Sequence, residues 1–264
     1  MAGSHAPLAA TARALAEARL RASALAAFPG PLPQTLDDAY AMQLAALDLW
    51  PDEIAGWKVG RMSPDLADRF GTNRFVGPIF RASVSRAPQG AAAPFAVFTG
   101  GSAALEAEFV VFVGERGPQR LMTGVEVAAS PLASLPDLGS LATIADFGNN
   151  AGLILGAEVP LELLARPSQL GCETQVADAP PVRRTGEALP GGPSGAFAFA
   201  EAETQRIGLP LQPGQFVSTG AVTGIHPVER GQSCTADFSA FGRIDCQVVV
   251  RSPLPLPSAW GEDS

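Results

Sequence analysis

The sequence predicts an α+β protein, mostly β, in which a helical N-terminal region precedes a β-rich body. Helical spacing of apolar residues is concentrated at the start of the chain. From residue 53 onward, short apolar segments alternate with Gly and Pro, which is typical of strands joined by turns. The 264 residues are 47% hydrophobic and only 17% charged, which favours a sizeable folded core over disorder. We therefore expect a helical region at 1–52, a β-rich domain at 53–252 and a loosely ordered tail at 253–264.

Three helices are expected. The alanine-rich stretch at 8–28 predicts a helix that ends at the segment FPGPLP. A second helix should begin after Thr35, which can cap it, and stop before Pro51. A third should cover about residues 194–207.

Strands are expected where short apolar runs are bounded by Gly or Pro. After residue 52 these runs read RFVGPIF, EAEFVVFVG, TGVEVAAS, CETQVA and QFVSTGAV. The segment SCTADFSAFGRIDCQVVV alternates apolar and polar residues on both sides of a turn, so we expect a hairpin with Cys234 near Cys246. Three cysteines without a CxxC pair are too few for a disulfide framework or a zinc cluster. We expect all three to be buried small apolar residues in a reducing compartment, in a cytoplasmic protein.

Charge and hydropathy exclude two classes of partner. The net charge is -8 with only 18 Lys and Arg residues and no basic stripe, so we expect no nucleic acid. No apolar run is long enough to cross a bilayer, so we expect no membrane. The N-terminal helix is interrupted by arginines and a glutamate, so it lacks the apolar centre of a signal peptide.

Two glutamates stand out on the segment EAEFVVFVG. Glu106 and Glu108 are two residues apart on a strand, so they point to the same face, and both faces of the strand are apolar beyond them. Two converging carboxylates repel each other unless a cation lies between them. Hard divalent cations take this kind of ligand.

A third glutamate lies alone among apolar residues. Glu126 is flanked by Val125 and Val127, and a buried lone carboxylate needs a partner. Three glutamates without a neighbouring histidine or cysteine suit Mg²⁺ or Mn²⁺ better than zinc. Exposed strand faces, or glutamate–arginine pairs, are the alternative interpretation.

The segment GWKVG raises a similar choice for Lys58. This lysine is either a solvated turn residue or a cation directed into a pocket, with small glycine neighbours that leave room for a ligand.

Eight motifs in order resemble a known family. The motifs are DDAYAMQ, GWKVG, FVGPIF, EAEFVVFV, VEVAAS, IADFGNNAGLILG, STGAVTGIHPVERG and FSAFGRI. In this order, over about residues 30–250, they resemble 2-keto-4-pentenoate hydratases and the related 4-oxalocrotonate decarboxylases of the fumarylacetoacetate hydrolase superfamily. The resemblance implies a fumarylacetoacetate-hydrolase-like mixed β body and a Mg²⁺ or Mn²⁺ site at Glu106, Glu108 and Glu126. It also implies that Lys58 faces the substrate.

Further residues follow from the same resemblance. It implies a catalytic role for Asp146 and substrate contacts for Asn150, and the alternative for both is a polar loop capping a strand end. Thr219 and Gly220 match a turn whose backbone N–H groups could receive a substrate carboxylate, and the alternative is a plain strand-end turn.

The implied activity is that of a hydro-lyase. Such an enzyme would hydrate a 2-hydroxy-dienoic (2-keto-4-enoic) acid in aromatic catabolism, with a small 2-oxo acid as its partner, in a homo-oligomer. A 2-oxo-enedioate decarboxylase of the 4-oxalocrotonate type is the alternative, and a non-catalytic ligand-binding relative is a third.

The chain also departs from the family pattern. Only 17 residues separate Glu108 from Glu126, where family members usually carry a longer segment. Where the family tends to have an acid followed by arginine, this chain has Ala129, Ser130 and Pro131. The shortened segment is what favours a non-catalytic relative. The superfamily's C–C hydrolases use a histidine–glutamate pair, and this chain has only two histidines, neither in an N-terminal lid, so hydrolysis is disfavoured.

Overall fold

Two β-sheets and six α-helices make up the part of the chain that the computed structural model describes, residues 5–256. The helices are α1 His5–Leu20, α2 Leu36–Leu47, α3 Pro64–Phe70, α4 Leu135–Leu138, α5 Ser140–Ala145 and α6 Gly192–Arg206. No helix in this range is both long and apolar enough to cross a membrane. The expected α+β class is confirmed.

The larger sheet has eight strands. Its path runs β2-β1-β10-β5-β6-β7-β3, and β11 pairs with β5 beside this path. The strands are β1 Ile54–Arg61, β2 Arg74–Phe80, β3 Val84–Arg86, β5 Ser102–Gly114, β6 Gly117–Ser130, β7 Asn150–Val159, β10 Phe216–Ser218 and β11 His226–Pro227.

The smaller sheet has five strands in the order β4-β13-β12-β8-β9. They are β4 Ala93–Val97, β8 Gly171–Val176, β9 Val182–Thr185, β12 Ser233–Asp237 and β13 Arg243–Val250. In the expected hairpin of β12 and β13, Cys234 lies directly opposite Cys246. Both of these cysteines and Cys172 are buried and free, as the sequence predicted.

The first helix is shorter than predicted. It ends at Leu20 rather than near residue 28, and Ala22 adopts a left-handed φ of 51°. The chain then turns away because the backbone N–H of Leu25 donates to the carbonyl of Pro131 at 3.0 Å. Pairing with the body of the protein thus overrides the helix propensity of the alanine-rich segment.

Other expected boundaries agree closely with the structure. The backbone N–H of Asp38 donates to the Thr35 hydroxyl at 3.1 Å, so Thr35 caps α2 as predicted. The third expected helix, α6, begins two residues early. The expected strand QFVSTGAV is reduced to Phe216–Ser218, because Gly220 takes a φ of +110° and the chain leaves the sheet there.

The main core is apolar and includes residues of both sheets. Phe109 of β5 packs edge-on against Phe238, with ring centroids 5.4 Å apart, and both side chains are fully buried. The N-terminal helices form a second apolar cluster with Phe80 and Phe147, so they pack directly on the β-rich body. Leu254, in the predicted loose tail, joins that cluster and donates its N–H to the carbonyl of Leu20 at 2.7 Å. Residues 257–264 of that tail lie outside the described residues.

A long hairpin of β5 and β6 forms the centre of the larger sheet. Its register runs from Ser102 opposite Ser130 to Gly114 opposite Gly117, with a two-residue turn between the strands. The short segment between the second and third glutamates is therefore made of the two strand ends and this turn.

Candidate metal centre

The three glutamates predicted as metal ligands lie together on the β5–β6 hairpin. Glu106 is directly opposite Glu126 in the strand register, and Glu108 follows two residues along β5. One carboxylate oxygen from each lies within 4.8 Å of the others. Glu106 is 7% exposed, and the other two side chains are fully buried.

This cluster concentrates negative charge away from water. Burial, together with repulsion from Glu126, raises the pKa of Glu106 to about 7 although Lys58 opposes the shift. Burial and the charges of Glu126 and Glu106 raise the pKa of Glu108 well above its ordinary value. Like charges directly opposite on neighbouring strands destabilise a sheet, so the arrangement needs positive charge.

Lys58 supplies part of that charge. Its Nζ lies 3.0 Å from Oε1 of Glu126, and its side chain is buried. Burial lowers the pKa of Lys58, but the three glutamates outweigh burial and the pKa is raised overall. Lys58 is therefore a buried ammonium on strand β1, not a solvated turn lysine. One ammonium cannot neutralise three carboxylates.

In two of the carboxylates, one oxygen accepts hydrogen bonds from the protein and the other has no partner in the described part of the chain. Oε2 of Glu108 accepts hydrogen bonds from the Ser218 hydroxyl at 2.6 Å and from the Gly220 N–H at 2.8 Å. Oε1 of Glu126 accepts from Lys58 and from the Asn150 side-chain amide at 3.1 Å. Within residues 5–256, Oε1 of Glu108 and Oε2 of Glu126 are buried and have no hydrogen-bond partner.

These unpartnered oxygens fit a divalent cation. A buried anionic oxygen without a donor is costly, and a cation between the glutamates would compensate both of them. The donor set consists of carboxylate oxygens, which hard cations such as Mg²⁺ and Mn²⁺ prefer. Outer hydrogen bonds that orient each ligand are typical of metal sites.

The space beside the glycines around Lys58 is filled by other parts of the protein. A Cβ at Gly56 would lie 2.3 Å from the carbonyl oxygen of Phe216, and one at Gly60 would lie 2.2 Å from the ring of Phe75. The expectation that they leave room for a ligand is wrong at these two positions, because strand β10 and an aromatic ring fill the space.

The turn after β10 orients the carboxylate of Glu108. The N–H of Gly220, which we expected to face a substrate carboxylate, donates instead to Glu108. The Thr219 hydroxyl donates to the carbonyl of Phe109 at 2.7 Å.

The carboxylate of Asp146 is held by groups outside the glutamate cluster. Its carboxylate accepts Arg19 Nε at 2.5 Å and the Ser130 hydroxyl at 2.5 Å. Asn150, by contrast, contacts the cluster directly through Glu126. The structure therefore brings Lys58, Asn150 and Gly220 to the glutamates, whereas Arg19 and Ser130 hold the carboxylate of Asp146.

Sequence reasoning missed three residues of this region. Ser218 precedes the TG turn, and its strand position opposite Val110 gives it the same face as Glu108. Ser130 was noted only as a departure from the family pattern. Arg19 is an arginine in an alanine-rich helix and gives no local signal. Lys58 is the only lysine of the chain, and this fact supports a specific role for it over that of a solvated turn residue.

His226 lies apart from the centre. Its Nε2 is 3.0 Å from the Thr223 hydroxyl, and it pairs opposite Leu105, so its position alternates away from the face that carries Glu106. Burial lowers its pKa.

Comparison with known proteins gives likenesses in structure. No protein-family model matches the sequence, and no curated protein sequence matches it. A 4-oxalocrotonate decarboxylase from Pseudomonas putida, solved with magnesium and adipate and also with calcium and acetate, superposes with a TM-score of 0.73. It is 20% identical, and the match covers 93% of this chain and 98% of that one.

A second solved structure is less similar. A fumarylpyruvate hydrolase from Pseudomonas aeruginosa, in complex with Mn²⁺ and pyruvate, has a TM-score of 0.52 at 17% identity. The match covers 74% of this chain and 89% of that one. The chain therefore has the fumarylacetoacetate-hydrolase-like α+β fold that these proteins share.

Proposed function

We propose that the protein is a Mg²⁺- or Mn²⁺-dependent lyase that hydrates a 2-hydroxy-dienoic (2-keto-4-enoic) acid. One observation carries the metal dependence: in a cluster of three glutamates whose ligand oxygens lie within 4.8 Å of one another, one buried oxygen of Glu108 and one of Glu126 have no hydrogen-bond partner among the described residues. Solved structures of the same fold contain magnesium, calcium or manganese, which supports the choice of ion.

The residues of the site have separable tasks. Glu106, Glu108 and Glu126 would hold the ion. The ion would act as a Lewis acid toward the carboxylate and 2-oxygen of a 2-oxo acid. Ser218 and Gly220 keep the Glu108 carboxylate turned in one direction.

Lys58 would stabilise negative charge on the substrate. Its raised pKa keeps it an ammonium at neutral pH, so it is suited to donate a hydrogen bond and positive charge rather than to act as a general base. Negative charge develops on the 2-oxygen as water adds to the far carbon of the conjugated double bond and the electrons of that bond move toward the carbonyl. A buried ammonium beside that oxygen lowers the barrier without reorganising solvent.

Hydration and decarboxylation both place negative charge on the 2-oxygen of the substrate, where the ion and Lys58 would stabilise it. Hydration adds water across the double bond conjugated to the 2-oxo group, whereas decarboxylation breaks a C–C bond and leaves its electrons on the same carbon framework. Decarboxylation is the second candidate, and the full-length likeness to a 4-oxalocrotonate decarboxylase favours it. The homo-oligomeric state expected from the resemblance is part of this proposal and is measurable by light scattering.

The test uses both acids with one matched pair of variants. Metal-stripped protein is reloaded with Mg²⁺ and incubated with 2-hydroxypenta-2,4-dienoate or with a 2-oxo-enedioate of the 4-oxalocrotonate type. Loss of the dienol absorbance and release of CO₂ are followed separately. We expect Glu126→Gln to abolish turnover, and Glu158→Gln, which changes an exposed glutamate on β7, to leave it unchanged.

Each outcome assigns a different function. Loss of absorbance without CO₂ supports the hydratase, and CO₂ release makes the protein a decarboxylase. Binding of both acids without turnover makes it a non-catalytic relative.

A further inference from the structure

Arg19 is a buried arginine near the end of the N-terminal helix α1. It lies in the last turn of α1 and is 3% exposed. Its guanidinium forms a two-pronged pair with Asp146, Nε to Oδ1 at 2.5 Å and Nη2 to Oδ2 at 2.8 Å. It also donates to three backbone carbonyls, those of Asp146, Ala129 and Asn150, at 2.9, 3.2 and 2.7 Å.

The segment that Arg19 binds has an unfavourable backbone conformation. Phe147, Gly148 and Asn149 have consecutive φ values of 51°, 66° and 65°. Left-handed φ is unfavourable for the two residues that are not glycine, and such a conformation persists only where its surroundings fix it. Arg19 binds the residues on both sides of this segment, Asp146 and Asn150.

The same guanidinium joins the two strands beside a metal ligand. Ala129 lies three residues after Glu126 on β6, and Asn150 begins β7 opposite Ala128. The strand register is irregular between Val127 and Ala128. Arg19 therefore fixes the two strands at the irregular point next to Glu126.

Asn150 connects Arg19 to the metal centre through two hydrogen bonds. Its backbone carbonyl accepts Arg19, and its side-chain amide donates to Oε1 of Glu126. Lys58 binds that same oxygen, so Oε2 is the oxygen left for an ion. We propose that Arg19 is a positioning residue for Glu126, acting through Asn150, so that the N-terminal helix sets the affinity of the metal centre. This inference rests on the proposed function, since it assumes that Glu126 holds an ion.

Stability alone does not account for such a pair. Burying an arginine and an aspartate costs solvation free energy that their attraction often fails to repay, and apolar replacements are frequently as stable. The planar fork of Arg19 reaches two strands at once, which an apolar side chain or an ammonium cannot do.

The test measures metal affinity in the folded protein. Metal-stripped protein is titrated with MnCl₂ well below its melting temperature, by calorimetry and by the EPR signal of free Mn²⁺, with circular dichroism to verify folding. Arg19→Lys keeps the buried charge but loses the fork. We expect it to weaken Mn²⁺ binding about 10- to 100-fold. Arg21→Lys, two residues away and exposed, is the matched control and should bind as the wild type does.

Making Arg19→Lys in Asn150→Ala protein tests whether Arg19 acts through Asn150. In Asn150→Ala protein the amide that holds Glu126 is gone, so Arg19→Lys should weaken Mn²⁺ binding no further. Wild-type affinity in folded Arg19→Lys protein, or an equal loss in both backgrounds, would overturn the proposal.

Two further outcomes remain decisive. If Arg19→Lys does not fold, Ser130→Ala, which removes the hydroxyl bound to Asp146, should give a smaller loss of affinity that also vanishes with Asn150→Ala. Unchanged affinity there overturns the proposal. A wild type that binds no Mn²⁺ refutes the metal centre and this inference together, whereas one that binds Mn²⁺ without turnover refutes the reaction alone.

Discussion

Replacing Lys58 should cost stability as well as activity, and the loss should depend on metal and pH. The ammonium lies 3.0 Å from Glu126, and both side chains are buried. At an effective dielectric constant of about 20, the attraction at that distance is about 5.5 kcal/mol. Breaking a buried pair by removing one partner typically costs about 3–5 kcal/mol, because the other charge stays uncompensated. We expect Lys58→Met to lose about that much in the metal-free protein at pH 8.

The loss should shrink as pH falls. The pKa of Glu106 is about 7 and that of Glu108 is raised, so protons neutralise part of the cluster near pH 6. With fewer negative charges, less attraction disappears with Lys58. Mn²⁺ should stabilise the variant at least as much as the wild type, since the ion no longer competes with an ammonium. Turnover should nevertheless fall far below that of the wild type with metal bound.

Denaturant unfolding gives the stability loss of Lys58→Met. Repeating it in EDTA and in saturating Mn²⁺, at pH 6 and pH 8, gives the dependence of that loss on metal and on pH. Arg81→Met is the control, because Arg81 is also 3.0 Å from its partner Glu53 but both side chains are exposed. That surface pair should be worth no more than about 1 kcal/mol. A Lys58→Met protein as stable as the wild type in EDTA at pH 8 would refute the charge argument, and full turnover would remove Lys58 from catalysis.

Three further predictions concern single contacts around the centre. Ser218→Ala removes the 2.6 Å hydrogen bond to Glu108 and should weaken Mn²⁺ binding about 10- to 100-fold, so calorimetry with unchanged affinity would contradict the orienting role. Because burial raises the folded-state pKa of Glu106 to about 7, the metal-free protein binds more protons than the unfolded chain between pH 4.5 and 7, and its stability falls as pH rises through this window. Glu106→Gln should therefore match the wild type near pH 4.5 in EDTA and exceed it by on the order of 3 kcal/mol at pH 8, and a pH-independent difference would disprove this. Gly56→Ala would place a Cβ 2.3 Å from the carbonyl oxygen of Phe216 and should cost about 1–3 kcal/mol of unfolding free energy, so unchanged stability would mean that β1 and β10 separate freely.

The three glutamates of the site stand out in the sequence because of their local spacing and their apolar neighbours. The two-residue spacing of Glu106 and Glu108 gives them one face on any strand, and Glu126 stood out because its neighbours are apolar. These arguments needed no knowledge of the rest of the chain. The α+β class and most strands followed for the same reason, since Gly and Pro interrupt short apolar runs.

The parts that the sequence did not predict depend on distant contacts. Ser218 meets Glu108 across 110 positions, and Arg19 meets Asp146 across 127. The early end of α1 likewise depends on a bond from Leu25 to a loop more than a hundred residues later. No local pattern encodes such pairings, because they are decided by how the sheets and helices pack.

The shortened segment between Glu108 and Glu126 bears on whether the centre can work. Its residues continue β5 to Gly114, turn within two residues and return along β6 from Gly117. This register places Glu126 directly opposite Glu106, and a slip of one residue would turn Glu126 to the other face of the sheet. The tight hairpin is thus sufficient by itself to bring the carboxylates together, without a longer connection to do so. The short segment was the main argument for a non-catalytic relative, and the hairpin register removes it as an argument against the metal ligands.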